Sequence, residues 1–160
     1  VRSSRRVESA GQMAAEVGEA LAAGAEWLFM AAAVADFTPS RREAGKIKKE
    51  SIGTSWSLEL HRTPDILGDV VNPDWHQGLT VVGFALETEN LLERAAKKRA
   101  AKGMDYIVAN DPTAPDSAFG DGQHHAYLIG PAGMLWDSGP QSKRAIARGL
   151  LARLAELTAP

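Results

Sequence analysis

The sequence predicts an α/β fold in which a mostly parallel sheet, covered by helices on both faces, ends in a C-terminal β-hairpin. Three observations predict it. Trp27 to Ala35, Leu79 to Leu86 and Met104 to Ala109 are nearly continuous apolar runs without period-two alternation, as expected of parallel strands buried on both faces. Segments with apolar residues at helical spacing lie before, between and after these runs, so strands and helices alternate along the chain. His124 to Ile129 and Met134 to Asp137 flank Gly130-Pro131-Ala132-Gly133, a hairpin signal.

Composition sets the limits. At 160 residues with 44% hydrophobic content, one domain with a proper core is expected. A net charge of -2 gives no reason to expect nucleic acid or an acidic membrane as partner. With no cysteine there is no disulfide framework and no thiol nucleophile. No apolar run approaches the roughly 20 residues that cross a bilayer, and the polar start VRSSRR is not followed by a signal-peptide core, so a cytoplasmic location is expected.

In order, Ser9 and Gln12 form a capping box that opens a helix with Met13, Val17 and Leu21 on one face and Gly24 as its stop. No glycine-rich loop precedes the helix, whereas a nucleotide-binding α/β domain usually opens with one; the chain is expected to begin partway into its fold. The first strand run ends at Asp36, which places a carboxylate at the strand end where ligand crevices of open sheets lie. Ala31, Ala32 and Ala33 are small enough to let a ligand approach the main chain. Thr38-Pro39 then breaks the run, and Arg41, Arg42, Lys46, Lys48 and Lys49 give the next stretch a clear positive excess, with Gly45 as a flexible point. Such a segment suits a polyanion bound with a divalent metal; on composition alone a solvated, charged surface loop is the commoner reading.

Trp56, Leu58 and Leu60 alternate with polar residues, the pattern of a half-buried strand. Thr63-Pro64-Asp65 reads as a helix start, with Thr63 as N-cap and Pro64 in first position, and is assigned no catalysis. Asn72-Pro73-Asp74 marks a turn. Phe84, at the carboxyl end of the second strand run, is placed to wall off a nucleobase or simply to pack in the core. Glu87 and Glu89 either cap the next helix or face the crevice. That helix, from about Asn90 to Lys102, is closed by Gly103 and carries Lys98 and Lys102 on one face, where the helix dipole alone accounts for them. Asn110-Asp111-Pro112 turns the chain, and the glycine-rich loop through Asp116, Phe119, Gly120 and Asp121 is expected to move. A last helix from near Gln141 buries Ile146, Leu150, Leu154 and Leu157. The histidines at 61, 76, 124 and 125 lack the spacing of a zinc site, and no G-x-S-x-G elbow is present.

The strings AAAVADFTPSRREAGKIKK, HRTPDIL, VVGFALETEN and KKRAAKGMDYIVANDPT, with the later phenylalanine-glycine loop, resemble in order the nucleotide-binding domain of phosphopantothenoylcysteine synthetase, a coenzyme A pathway ligase often fused in bacteria to a flavin-dependent decarboxylase. The resemblance implies a Rossmann-like three-layer sandwich and CTP-dependent ligation of 4'-phosphopantothenate with cysteine through an acyl-cytidylate. It implies CTP as co-substrate, Mg2+, and a homodimer. By residue, it places Met30, Ala31, Ala32, Asp36, Lys46, Phe84, Lys98 and Lys102 on the nucleotide, Asp36 also on the metal, Ala33 beside the acyl substrate, and Lys46 on a flap as the catalytic, phosphate-neutralising group. The family's N-terminal glycine-rich triphosphate loop and its intermediate-binding asparagine have no counterpart here, so a noncatalytic nucleotide-binding or dimerisation fragment is the alternative. An NAD(P)-binding oxidoreductase ranks lower, because no G-x-G-x-x-G follows any strand.

Overall fold

The computed structural model describes residues 3–48, 50, 53–71, 78–110 and 122–159. The Asn72-Pro73-Asp74 turn and the loop from Asp116 to Asp121 lie outside them. The chain forms two compact units, one of residues 1–25 and 32–77, the other of residues 26–31 and 78–160.

The first unit opens with α1 (Ala10–Ala22). Its start follows the capping pattern: the Gln12 N–H donates to Ser9 Oγ at 3.2 Å, while Gln12 Oε1 accepts from the Glu8 N–H at 2.7 Å, one residue earlier than the usual reciprocal bond. Gly24, at φ +87°, turns the chain after the helix in a conformation that strains any residue with a Cβ. Strands β2 (Phe37–Pro39) and β3 (Leu60–Arg62) pair antiparallel, with Phe37 opposite Arg62 and Pro39 opposite Leu60. A π-helical turn, Ile66–Val70, packs against α1, and among the described residues Leu21 and Ile66 are the buried apolar ones of this unit.

Three expectations change here. The apolar run from Trp27 is a strand only to Met30; residues 31–35 are irregular, and Asp36 occupies the bend that precedes β2. The alternation at Trp56, Leu58 and Leu60 does not make a half-buried strand: only Leu60 is in β3, and all three side chains are about half exposed. Thr63 is not an N-cap. Its hydroxyl donates to the Ala35 carbonyl at 2.5 Å and its N–H to the Asp36 carbonyl at 3.0 Å, so it is spent on holding residues 35–36. Asp65 takes the capping role, accepting from the Gly68 N–H at 3.2 Å.

The second unit is a five-stranded sheet in the order β1 (Trp27–Met30), β4 (Thr80–Leu86), β5 (Tyr106–Asn110), β6 (Ala126–Gly130), β7 (Gly133–Asp137). β1, β4 and β5 run parallel; β6 and β7 close the sheet as the antiparallel hairpin. α2 (Leu91–Ala101) connects β4 to β5, and α3 (Lys143–Leu157) ends the chain. Neither Glu87 nor Glu89 caps α2: Asn90, at φ 47°, holds that position, and Glu87 pairs with Arg94 at 3.7 Å. α3 starts at a Ser142 cap whose Oγ accepts from the Ala145 N–H.

Alternation sorts the buried residues onto two faces. Val82, Val108, Ala126 and Leu128 pack against Ile146, Leu150 and Leu154 of α3. Ile107, Ala109 and Ile129 are buried on the other face, where α2 lies over β5 and β6. The unit is therefore helix, sheet, helix, the mixed α/β arrangement expected of the sequence. Gly149 is required by contact, since a Cβ there would sit 2.8 Å from the Trp136 ring.

At the end of β7, the Asp137 carboxylate accepts from the Gly139 N–H at 2.8 Å and meets His125 Nε2 at 2.5 Å; these bonds, the backbone one foremost, hold its pKa below the usual carboxylate value. A depressed folded pKa contributes stability that is present above the unfolded value of about 3.9 and is lost as pH falls through the lower folded value. In thermal melts, Asp137→Asn is expected to lower the midpoint at pH 7 and to converge on the parent at pH 2. The difference should be small, because the side chain is 46% exposed.

Candidate functional site

A concavity of the first unit has a volume of about 580 Å³. It is built where three stretches meet: residues 7–11 with Met13 at the start of α1, residues 32–35 with Phe37 and Thr38, and His61 through Pro64. The sequence explains the shape. Four small or short residues in a row, Ala32, Ala33, Val34 and Ala35, line one stretch of it, and Thr63 fixes that stretch through its two bonds to residues 35 and 36. The first turn of α1 brings the positive end of a helix dipole to the cavity, which favours an anionic ligand.

Ala32 and Ala33 therefore line the cavity, and Asp36 stands in the chain between two lining residues, Ala35 and Phe37. Its side chain is exposed and makes no ion pair or hydrogen bond among the described residues. Lys46 is exposed on the connection between β2 and β3, whose base is pinned by the Ser40 N–H donating to the Glu59 carbonyl at 3.0 Å and by Ser40 Oγ donating to Glu59 Oε2 at 3.2 Å. Arg62, His61 and Thr63 are cavity residues that sequence reasoning passed over. The string HRTPD carried the signal, but a threonine before proline reads first as a helix start.

In the second unit, Met30 ends β1 opposite Gly83, and Ala31 follows it. Phe84 faces α3 and lines an apolar groove of about 460 Å³ with Phe29, Val108, Asn110, Ile146 and Leu150. Lys98 lies in the last turn of α2, and Lys102 is its C-cap residue. From Asn90 to Lys102 the helix axis rises about 18 Å, and α2 covers the face of the sheet away from Phe84. Within this unit the two lysines and the phenylalanine are not brought together. Among the described residues no three His, Asp or Glu side chains converge as a metal cluster, and no helix is long and apolar enough to cross a membrane.

Comparison with known proteins follows the same elements. The model of the DNA/pantothenate metabolism flavoprotein C-terminal domain family matches residues 2–157. The coenzyme A biosynthesis bifunctional protein CoaBC of Bacillus subtilis (strain 168) is 43% identical over 112 residues, covering 68% of this chain and 27% of that protein. Its Escherichia coli (strain K12) counterpart is 36% identical over 99 residues, covering 61% of this chain and 24% of that protein. The chain thus spans about a quarter of the length of these curated relatives. Among solved structures, the C-terminal domain of the coenzyme A biosynthesis bifunctional protein CoaBC matches with a TM-score of 0.70 at 26% identity, over 96% of this chain and 64% of that one. The DNA/pantothenate metabolism flavoprotein from Streptococcus pneumoniae matches with a TM-score of 0.71 at 24% identity, over 98% and 72%, a likeness of fold.

Proposed function

The chain belongs to the DNA/pantothenate metabolism flavoprotein C-terminal domain family, and from that premise we propose that it is the nucleotide-binding part of a phosphopantothenate–cysteine ligase that uses CTP. In this reading a carboxylate oxygen of 4'-phosphopantothenate attacks the α-phosphorus of CTP. The new O–P bond replaces the bond to the β-phosphate oxygen, and pyrophosphate leaves with that electron pair. The cysteine amino nitrogen then attacks the acyl carbon, CMP departs, and the amine gives up a proton as the amide forms.

The observation that carries the reading is the cavity lined along one stretch by the short residues Ala32 to Ala35, next to an exposed carboxylate at Asp36. Ala32 offers the nucleotide its main-chain groups, with Met30 and Ala31 doing the same from the preceding strand end, and Ala33 flanks the acyl group. Lys46 supplies the positive charge that meets the leaving pyrophosphate. Reach permits this: β2 spans about 10 Å, and the six residue-to-residue steps from Ser40 to Lys46 extend up to about 20 Å, enough to fold back toward Asp36. An exposed carboxylate fits Mg2+, which commonly takes one or two protein carboxylates and completes its shell with water and substrate phosphates. Asp36 would hold it, and when bound it neutralises charge on the triphosphate. Phe84 walls the base and the assembly is a homodimer, both in keeping with the family resemblance; Lys98 and Lys102, carried by the helix on the sheet face away from Phe84, are assigned to the nucleotide on the resemblance alone.

The test is pyrophosphate release from CTP, measured with and without 4'-phosphopantothenate before cysteine is added. Release that depends on the acyl substrate is the expected result. CTP binding without release under any condition would favour a noncatalytic module, and tight NADP binding with no response to CTP would contradict the reading.

A further inference from the structure

The antiparallel pairing of β2 with β3 brings Asp36 opposite Thr63, one step beyond Phe37 and Arg62. The Thr63 N–H continues the ladder to the Asp36 carbonyl at 3.0 Å, and the Thr63 hydroxyl reaches one residue further, donating to the Ala35 carbonyl at 2.5 Å. Neither bond is needed to start the turn that follows, because Asp65 caps it by accepting from the Gly68 N–H. Pro64 restricts Thr63 to extended backbone and, having no N–H, ends the ladder there. Two residues past Thr63's own bonds to Pro64 and Asp65, Ile66 is buried, 4% exposed, in the turn that packs on α1. The main chain at residues 35 and 36 is therefore tied through Thr63 to the packed interior of the first unit, while the Asp36 side chain stays exposed and takes no bond among the described residues. An exposed carboxylate on a clamped backbone is an arrangement that holds a binding group in place before its partner arrives.

We infer that Thr63 is a positioning residue for the divalent cation: its hydroxyl, through the Ala35 carbonyl, sets where the Asp36 carboxylate meets the metal. The inference rests on the assignment of Mg2+ to Asp36 given above. That ion tolerates little error, since it demands near-octahedral geometry at about 2.0–2.1 Å, and a site built on one or two protein carboxylates has little else to correct a displaced one. Groups that orient a metal ligand without touching the metal typically account for about ten- to hundredfold in metal affinity. Thr63→Val exchanges the hydroxyl for a methyl group of similar size and leaves the N–H bond to Asp36 in place, so it isolates the single bond to Ala35.

Mn2+ serves as the probe for the Mg2+ site, and electron paramagnetic resonance measures how much of it the chain takes up in the presence of CTP, beyond what CTP alone holds. Thr63→Val is expected to raise the Mn2+ concentration for half-saturation by roughly ten- to hundredfold, with CTP affinity in EDTA changed by less than about threefold, while Thr63→Ser, which keeps the donor, stays within about threefold of the parent. In pyrophosphate release, excess Mg2+ should bring Thr63→Val back near the parent's rate, which a merely structural lesion would not allow. Should Thr63→Val fail to fold, Thr63→Ala removes the same hydroxyl with less bulk before Pro64 and carries the same expectation. A folded hydroxyl-free variant with unchanged Mn2+ uptake, or an equal loss in Thr63→Ser, overturns the inference and leaves the ligase reading intact. Undiminished Mn2+ uptake by Asp36→Asn, or none by the parent, overturns the metal assignment and the inference together.

Discussion

Lys46→Ala is expected to lower the rate of acyl-substrate-dependent pyrophosphate release by roughly 100- to 1,000-fold, the usual cost of removing one group aimed at charge that develops in a transition state. Charge gathers on the departing pyrophosphate, so the loss should fall on the rate at saturating CTP more than on the concentration that saturates. The residue suits the part because it is exposed and forms no ion pair among the described residues. Among the described residues nothing competes for its ammonium group. Arg42→Ala, in the same exposed connection, should change the rate less than threefold, and the parent's rate should fall as salt screens an exposed cation. Equal losses in both variants would show that net charge on the connection matters and the position of Lys46 does not.

The second large effect concerns stability. Leu128 is fully buried in β6, between β5 and β7, and touches the cluster formed by Val82, Val108, Ile146, Leu150 and Leu154. Leu128→Ala should destabilise the second unit by about 3 kcal/mol, within the usual 2–5 kcal/mol for a buried leucine truncated inside a sheet that cannot collapse around the void. Leu151→Ala, one residue past Leu150 on α3 and 55% exposed, should cost less than about 0.5 kcal/mol. Urea unfolding with an unchanged slope for both variants checks this, and similar midpoints for the two would contradict the assigned packing.

How much of this was legible in the residues follows from what each pattern measures. The β4 and β5 runs, the hairpin and the Ile146, Leu150, Leu154 stripe were readable because burial on both faces or on one helical face leaves a periodic trace. The run from Trp27 was readable only in part. Apolar and uncharged residues describe a strand and the wall of a cavity equally well, and Ala31 to Ala35 turned out to belong to irregular backbone. Trp56, Leu58 and Leu60 alternate correctly, yet alternation makes no strand without a neighbour to pair with, and only Leu60 finds one. Thr63 was misread because local rules assign its hydroxyl to the next helix, while a contact 28 residues away claims it. The groove at Asn110 was invisible, since which side chains meet there is a property of surroundings that one letter in a strand does not encode.

The measurement that tests the central claim most directly follows an oxygen atom. With 4'-phosphopantothenate labelled by 18O in its carboxylate, and with CTP, magnesium and cysteine present, attack at the α-phosphorus predicts one labelled oxygen in the CMP product and none in pyrophosphate. Label in inorganic phosphate, or none in CMP while the amide forms, would mean that the carboxylate is activated another way and would contradict the account.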